Sequence, residues 1–367
     1  MRDSKREKIT IGKIWGIIYP MLVYLGISFV IQLAMMILIG VFAVVSGEIT
    51  NQGALTQYLI DVTYEQVLLL TLLSGLGTTP FLIYFYRRDI RKEKLENKYV
   101  QYKPENIGKY LLIIPFGIFN MLWANLFVSL LTLIMPDFML ESYVSTETAI
   151  YGSSFAMQLL TAGIVAPIVE ELIFRGLVYK RLKKMTGLIV AAVLSALLFG
   201  IFHGNWVQAP YAMILGLVCV FVYEKYKSMI APILLHMSAN VFAVILSSGA
   251  GDSSTTETVQ IDTVEYVVSL IIVIVITSVL AAITGLIIWF VVHPRRVETD
   301  THTTGSTPDG NVGDFYRGMN NDSVSQGSDT ASTDYFSQEQ KKEEKIDMET
   351  TFYYQGQDNN PKNDNEN

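Results

Sequence analysis

Glu170, Glu171 and Arg175 interrupt the apolar run AGIVAPIVEELIFRGLVYKR, His203 ends the run LIVAAVLSALLFGIFHGNW, and His236 and Asn240 lie within IAPILLHMSANVFAVIL. A charged side chain at the centre of a bilayer costs about 2.5–3.5 kcal/mol on insertion scales, so such groups must face a partner or a water-filled cavity. Residues four apart share a helix face. Glu171 therefore lies over Arg175, Phe199 over His203, and His236 over Asn240. Glu170 sits about 100° around the helix from Glu171. One carboxylate is neutralised by the arginine of its own helix, and Glu170 is left needing a partner from another. His203 and His236 are the only histidines inside the apolar runs; His293 closes the last run and His302 lies beyond it. Singly, a Glu–Arg pair reads as a structural ion pair and a His near a helix end as an interfacial group. Together, three separate helices bring a carboxylate, two imidazoles and an amide into a phase with nothing else ionisable, and that combination favours function over structure. Intramembrane Glu and His also build proton relays, but the halves of the chain show no repeat of the kind many transporters have.

The elements that must position these groups are apolar helices. The chain has 367 residues, 51% hydrophobic and 17% charged, far from a soluble globule with about a quarter of its residues charged. A span needs about 20 mostly apolar residues, and eight segments qualify or nearly so: Trp15 to Val45, Tyr64 to Tyr86, Tyr110 to Met135, Ser154 to Tyr179, Leu188 to Phe202, Ala209 to Val222, Ile230 to Leu246 and Val264 to Val292. The first is longer than one crossing requires and contains Pro20, so it tilts, bends or protrudes. Those after Lys184 are short, which predicts helices tucked into a bundle and reaching only part of the way across. The fold class is all-α: a polytopic membrane protein of about eight transmembrane helices around an intramembrane cavity, with a disordered C-terminal tail.

Charge is distributed unevenly. The net charge is −7. Residues 298–367 carry 15 acidic and 5 basic side chains, a net of −10, which leaves +3 on residues 1–297. That tail is rich in Ser, Thr, Asp, Asn, Gly and Gln and cannot bury enough apolar area to offset its ordering entropy. Lys and Arg fall in the N-terminus and after the second, fourth, sixth and eighth segments, whereas the loops 46–63, 137–152, 203–208 and 249–263 contain none. Since cytoplasmic loops hold the excess of Lys and Arg, both termini are expected in the cytoplasm. The acidic balance argues against nucleic acid as a partner. One cysteine, Cys219, excludes a disulfide within the chain and a four-cysteine metal site. No cleavable signal peptide is expected, because the first apolar run is too long for one.

EELIFRG (Glu170 to Gly176), FGIFH (Phe199 to His203) and HMSAN (His236 to Asn240) resemble the three ordered motifs of the CPBP intramembrane protease family. That family joins the type II CAAX prenyl endopeptidases with bacterial Abi-type proteins. The resemblance implies a catalytic core over residues 150–247, with N-terminal helices over 1–149, a last transmembrane helix and its flanks over 248–297, and the acidic tail over 298–367. It implies an endopeptidase in which Glu170 is general base on a water shared with His203, and His236 and Asn240 face the oxyanion. Glu171 and Arg175 would hold their helix in register, Glu171 also meeting the substrate or site water, and Phe199 would pack against the site. Two versions of the chemistry stay open: a glutamate protease, and a zinc protease with Glu170, His203 and His236 as ligands and an open fourth position. The expected surroundings are membrane lipids and a membrane protein or peptide substrate, CAAX-like or otherwise, in a bacterial plasma membrane. The same family resemblance implies an alternative, a non-proteolytic bacteriocin self-immunity factor or a regulator of a membrane sensor protein. One feature is awkward: His236 is near the start of its helix and His203 near the end of its own, so the two meet only if helices tilt strongly or are offset in depth.

Overall fold

The computed structural model describes residues 6–47, 51–250 and 263–297; the acidic tail lies outside the described residues. Ten helices follow one another: α1 (Ile11–Val45), α2 (Gln52–Glu65), α3 (Val67–Leu95), α4 (Ile107–Thr132), α5 (Asp137–Tyr151), α6 (Phe155–Thr186), α7 (Leu188–Phe202), α8 (Gln208–Tyr226), α9 (Ile230–Ala250) and α10 (Thr263–Val291). Among the described residues there is no strand, only an isolated antiparallel bridge between Tyr102 and Arg296. Seven of these helices are long and apolar enough to cross a membrane, and α7 is a shorter apolar helix. The chain is a multi-pass membrane protein.

The expected segments all fall on helices, with two differences. Only α7 is too short to span; α8 and α9 are full length. Their helical hydrogen bonding runs on into polar ends such as Glu224 and Lys225, which a hydropathy reading trims away. The loops before α3 and α6 also contain helices, α2 and α5, that composition did not announce. Asn51 caps α2, its Oδ1 accepting from Ala54 N–H at 2.8 Å.

α6 is the central element. Half of its apolar window is buried inside the protein, against 6% for α1, which faces outward along most of its length. Two apolar clusters surround it. One joins α6 and α7 with Ile17 and Met21 of α1 and Leu82 of α3. The other joins Ile113 and Phe116 of α4 with Cys219 of α8, Leu235 of α9 and Ile288 of α10.

All basic loops gather at one end of this bundle. Glu7 N–H donates to Lys184 O, and Lys103 N–H to Arg295 O. Arg181 Nε pairs with Asp89 at 2.7 Å, Lys184 with Glu93 at 2.7 Å and Lys183 with Glu224 at 2.5 Å. Lys227 also pairs with Glu224. These bonds join the N-terminus, the α3–α4 loop, the end of α6, the α8–α9 turn and the segment after α10. An even number of crossings between basic loops follows.

Candidate active site

α6 is not a uniform α-helix. Leu159–Val165 and Leu172–Tyr179 are π-helical, flanking the short α-helical stretch Ala166–Glu171. Such wide turns are rare and concentrate at functional sites. Here they bracket the two glutamates. Pro167 contributes to the first, because it has no N–H to give, and in the i→i+5 pattern the carbonyl of Ala162 loses its donor. Asn240 of α9 supplies the replacement: its Nδ2 donates to Ala162 O at 2.9 Å.

The second bracket holds the ion pair. Arg175 and Glu171 are fully buried, and Arg175 Nη1 donates to Glu171 Oε1 at 2.8 Å. The guanidinium also lies over the Phe199 ring, 4.5 Å from its centroid, where the ring face attracts a cation. Glu171 Oε1 takes a second donor, His236 Nδ1, at 3.0 Å. That bond fixes the imidazole and turns Nε2 toward Glu170, 3.8 Å from its Oε2. Glu170 Oε2 is buried and hydrogen-bonds no protein group.

His203 arrives from the end of α7. Its Nδ1 is 2.8 Å from Phe199 O; a carbonyl only accepts, so Nδ1 carries a proton. The turn that follows is local in origin. Gly204 adopts φ +65, which favours glycine, and Asn205 Oδ1 accepts from Val207 N–H at 2.9 Å to start α8. Phe199 then spans the two histidines, its ring 4.8 Å from His203 and 5.8 Å from His236. The depth mismatch resolves here. Phe199, near the end of α7, touches His236, near the start of α9, so α7 begins nearer the basic end of the bundle than α9 does.

Glu170, His203, His236 and Asn240 line one cavity of about 420 Å³. Of the seven residues singled out by spacing, these four meet at its wall, and Glu171, Arg175 and Phe199 stand directly behind them. Glu171 faces Arg175 and His236; it is fully buried and does not line the cavity. The zinc set is of the right donor type, but among the described residues no three His, Cys, Asp or Glu side chains converge closely enough to hold a metal ion. As placed, the three do not fit an ion, and no step is drawn through one.

The spacing of motifs left several participants unseen. Ala162 enters through its carbonyl, which no side-chain pattern reveals. Tyr143, Glu147 and Tyr151 of α5, together with Tyr211 of α8, line the same cavity. Their only trace in the sequence is that Glu147 is an acid in a loop without a basic residue.

A multi-pass helical membrane protein thus carries one Glu, two His and one Asn on the wall of a single cavity. Residues 152–242 match the family described as type II CAAX prenyl endopeptidase Rce1-like. All seven residues lie within the match. The chain is similar to the "Putative membrane peptidase YdiL" of Bacillus subtilis (strain 168), 31% identical over 90 residues, covering 24% of this chain and 37% of that protein. It is also similar to the "Membrane-embedded CAAX protease MroQ" of Staphylococcus aureus (strain USA300), 24% identical over 193 residues, covering 50% of this chain and 73% of that protein. The "UPF0177 protein YxdF" of Lactococcus lactis subsp. lactis (strain IL1403) is 34% identical over 82 residues, 22% of this chain and 44% of that protein. The similarity thus spans little more than a third of YdiL and less than half of YxdF. No solved structure matches the chain significantly.

Proposed function

We propose that this chain is an intramembrane endopeptidase that hydrolyses peptide bonds of membrane-associated substrates with a water activated by Glu170. The observation that carries the reading is the state of the Glu170 carboxylate: Oε2 is buried, without a protein hydrogen bond, on a cavity that His203, His236 and Asn240 also line. A carboxylate in that position is free to bind a water and take its proton.

In the proposed reaction Glu170 and His203 Nε2 accept hydrogen bonds from one water. Glu170 removes a proton as the water oxygen adds to the scissile carbonyl carbon. The oxyanion receives the second N–H of Asn240, since the first is held by Ala162 O, with the His236 ring beside it. Collapse breaks the C–N bond, and Glu170 returns its proton to the leaving nitrogen. Preorganised donors of this kind act strongly where water is excluded.

The termini are assigned to the cytoplasm on the strength of the basic loops. The family match and the similarity to a putative membrane peptidase and a membrane-embedded CAAX protease support a peptidase. The test uses protein reconstituted in nanodiscs with a library of membrane-anchored fluorogenic peptides. Wild type releases fluorophore and Glu170→Gln does not, with both eluting as the same folded species. Equal release by the two forms removes Glu170 from the reaction.

A further inference from the structure

The cavity is lined by more than the glutamate and the histidines. α5 contributes Tyr143, Glu147 and Tyr151, and α8 contributes Tyr211. Tyr211 lines the same cavity as Glu147 and Glu170. No Lys or Arg lines the cavity, and among the described residues Glu147 has no ion pair. Its carboxyl is pushed above the ordinary carboxylate range, first by burial, with the Tyr143 hydroxyl opposing. Among the described lining residues the basic groups are His203 and His236. A half-buried carboxylate without a counter-ion, on a cavity wall that Tyr143, Tyr151 and Tyr211 share, is a site short of a cation: both the charge and aromatic rings attract an ammonium or guanidinium.

We propose that Glu147, with Tyr143, Tyr151 and Tyr211, forms a subsite for a lysine or arginine side chain of the peptide that the enzyme cuts. The placement of that side chain near the scissile bond rests on the protease reading; the binding of a cation by Glu147 does not. The subsite makes α5, a helix outside the family motifs, the selector of substrates, and it separates selection from chemistry along one cavity. A substrate lysine there neutralises Glu147, and an acidic residue at the same place meets a like charge.

The experiment measures binding of three fluorescent, N-acetylated, C-amidated membrane peptides that differ at one position, Lys, Gln or Glu, to the full chain in nanodiscs of neutral lipid. Wild type binds the Lys peptide about tenfold more tightly than the Glu peptide, the scale of a close charge pair. Glu147→Gln brings the three peptides to within about threefold of one another, and Glu147→Arg reverses the order. Glu141→Arg makes the same change in net charge on the exposed part of α5, off the cavity, and leaves the wild-type order in place. Size-exclusion profiles and melting temperatures establish that the variants are folded, and Glu147→Gln carries the test if Glu147→Arg is not. The proposal is overturned if folded Glu147→Gln keeps the wild-type preference, or if Glu141→Arg shifts it as much as Glu147→Arg. Should wild type bind Lys selectively through Glu147 yet cut none of the peptides, the subsite stands and the protease reading falls.

Discussion

Glu171 Oε1 accepts from Arg175 and His236 at once, while Glu170 Oε2 accepts from no protein group. Adjacent glutamates therefore have separable roles, and substitution distinguishes them. Arg175→Met leaves Glu171 as an uncompensated buried charge; breaking such a pair costs about 3–5 kcal/mol, read as a large fall in melting temperature in detergent. Glu170→Gln removes no protein bond. It leaves the melting temperature within the spread of neutral substitutions and lowers turnover at least about a hundredfold, the range of a general base. Stripping divalent metal with a strong chelator leaves turnover intact under this mechanism; a loss that zinc restores places an ion on Glu170, His203 and His236 instead. The Glu171–Arg175 pair was legible in the sequence because four-residue spacing is a property of one helix. Its link to His236 was not, since helical phase does not say which helix stands opposite. Asn240 was legible as a neighbour of His236 on one helix face, but not its bond to Ala162, which follows from a π-helical turn that no apolar pattern marks.

At the level of elements, close contacts between helices set the site. A Cβ on Gly117 of α4 would lie 2.0 Å from Ser238 Oγ and 2.7 Å from Leu235 O, so α9 approaches α4 as closely as it does only because residue 117 has no side chain. Those two α9 residues flank His236. Gly117→Val therefore pushes α9 outward, costs about 1–3 kcal/mol as overpacking, and lowers turnover through misplacement of His236. Gly108→Ala, on the same helix with nothing within 4 Å of the added carbon, serves as the control and leaves melting temperature and turnover unchanged. Gly216 plays the same part between α7 and α8, where a Cβ would lie 3.1 Å from Ala196 and 3.3 Å from Arg175 Nη2. The helices themselves were readable from apolar length. Their relative depth was not: the offset of α7 against α9, and the presence of α2 and α5, depend on packing between segments distant in sequence.

For the whole molecule, the distribution of Lys and Arg supplied the topology, and the structure gathers the basic loops at one end. Glu141 of α5 and Lys94 of α3 then belong to opposite faces of the membrane. Cysteine placed at each, beside a buried Cys219, labels with an impermeant thiol reagent from opposite sides: position 141 in intact cells, position 94 only after lysis. Labelling of both from one side reverses the crossings assigned to α3 and α4. The immunity or regulatory alternative needs the same fold but no chemistry, so it predicts that Glu170→Ala preserves the cellular phenotype. The most direct test of intramembrane hydrolysis by Glu170 is a comparison of newly formed peptide termini in membranes of cells carrying wild type or Glu170→Gln at equal abundance. The account predicts at least one cleaved membrane protein or peptide whose new termini occur only with wild type; identical termini in the two membranes would contradict it.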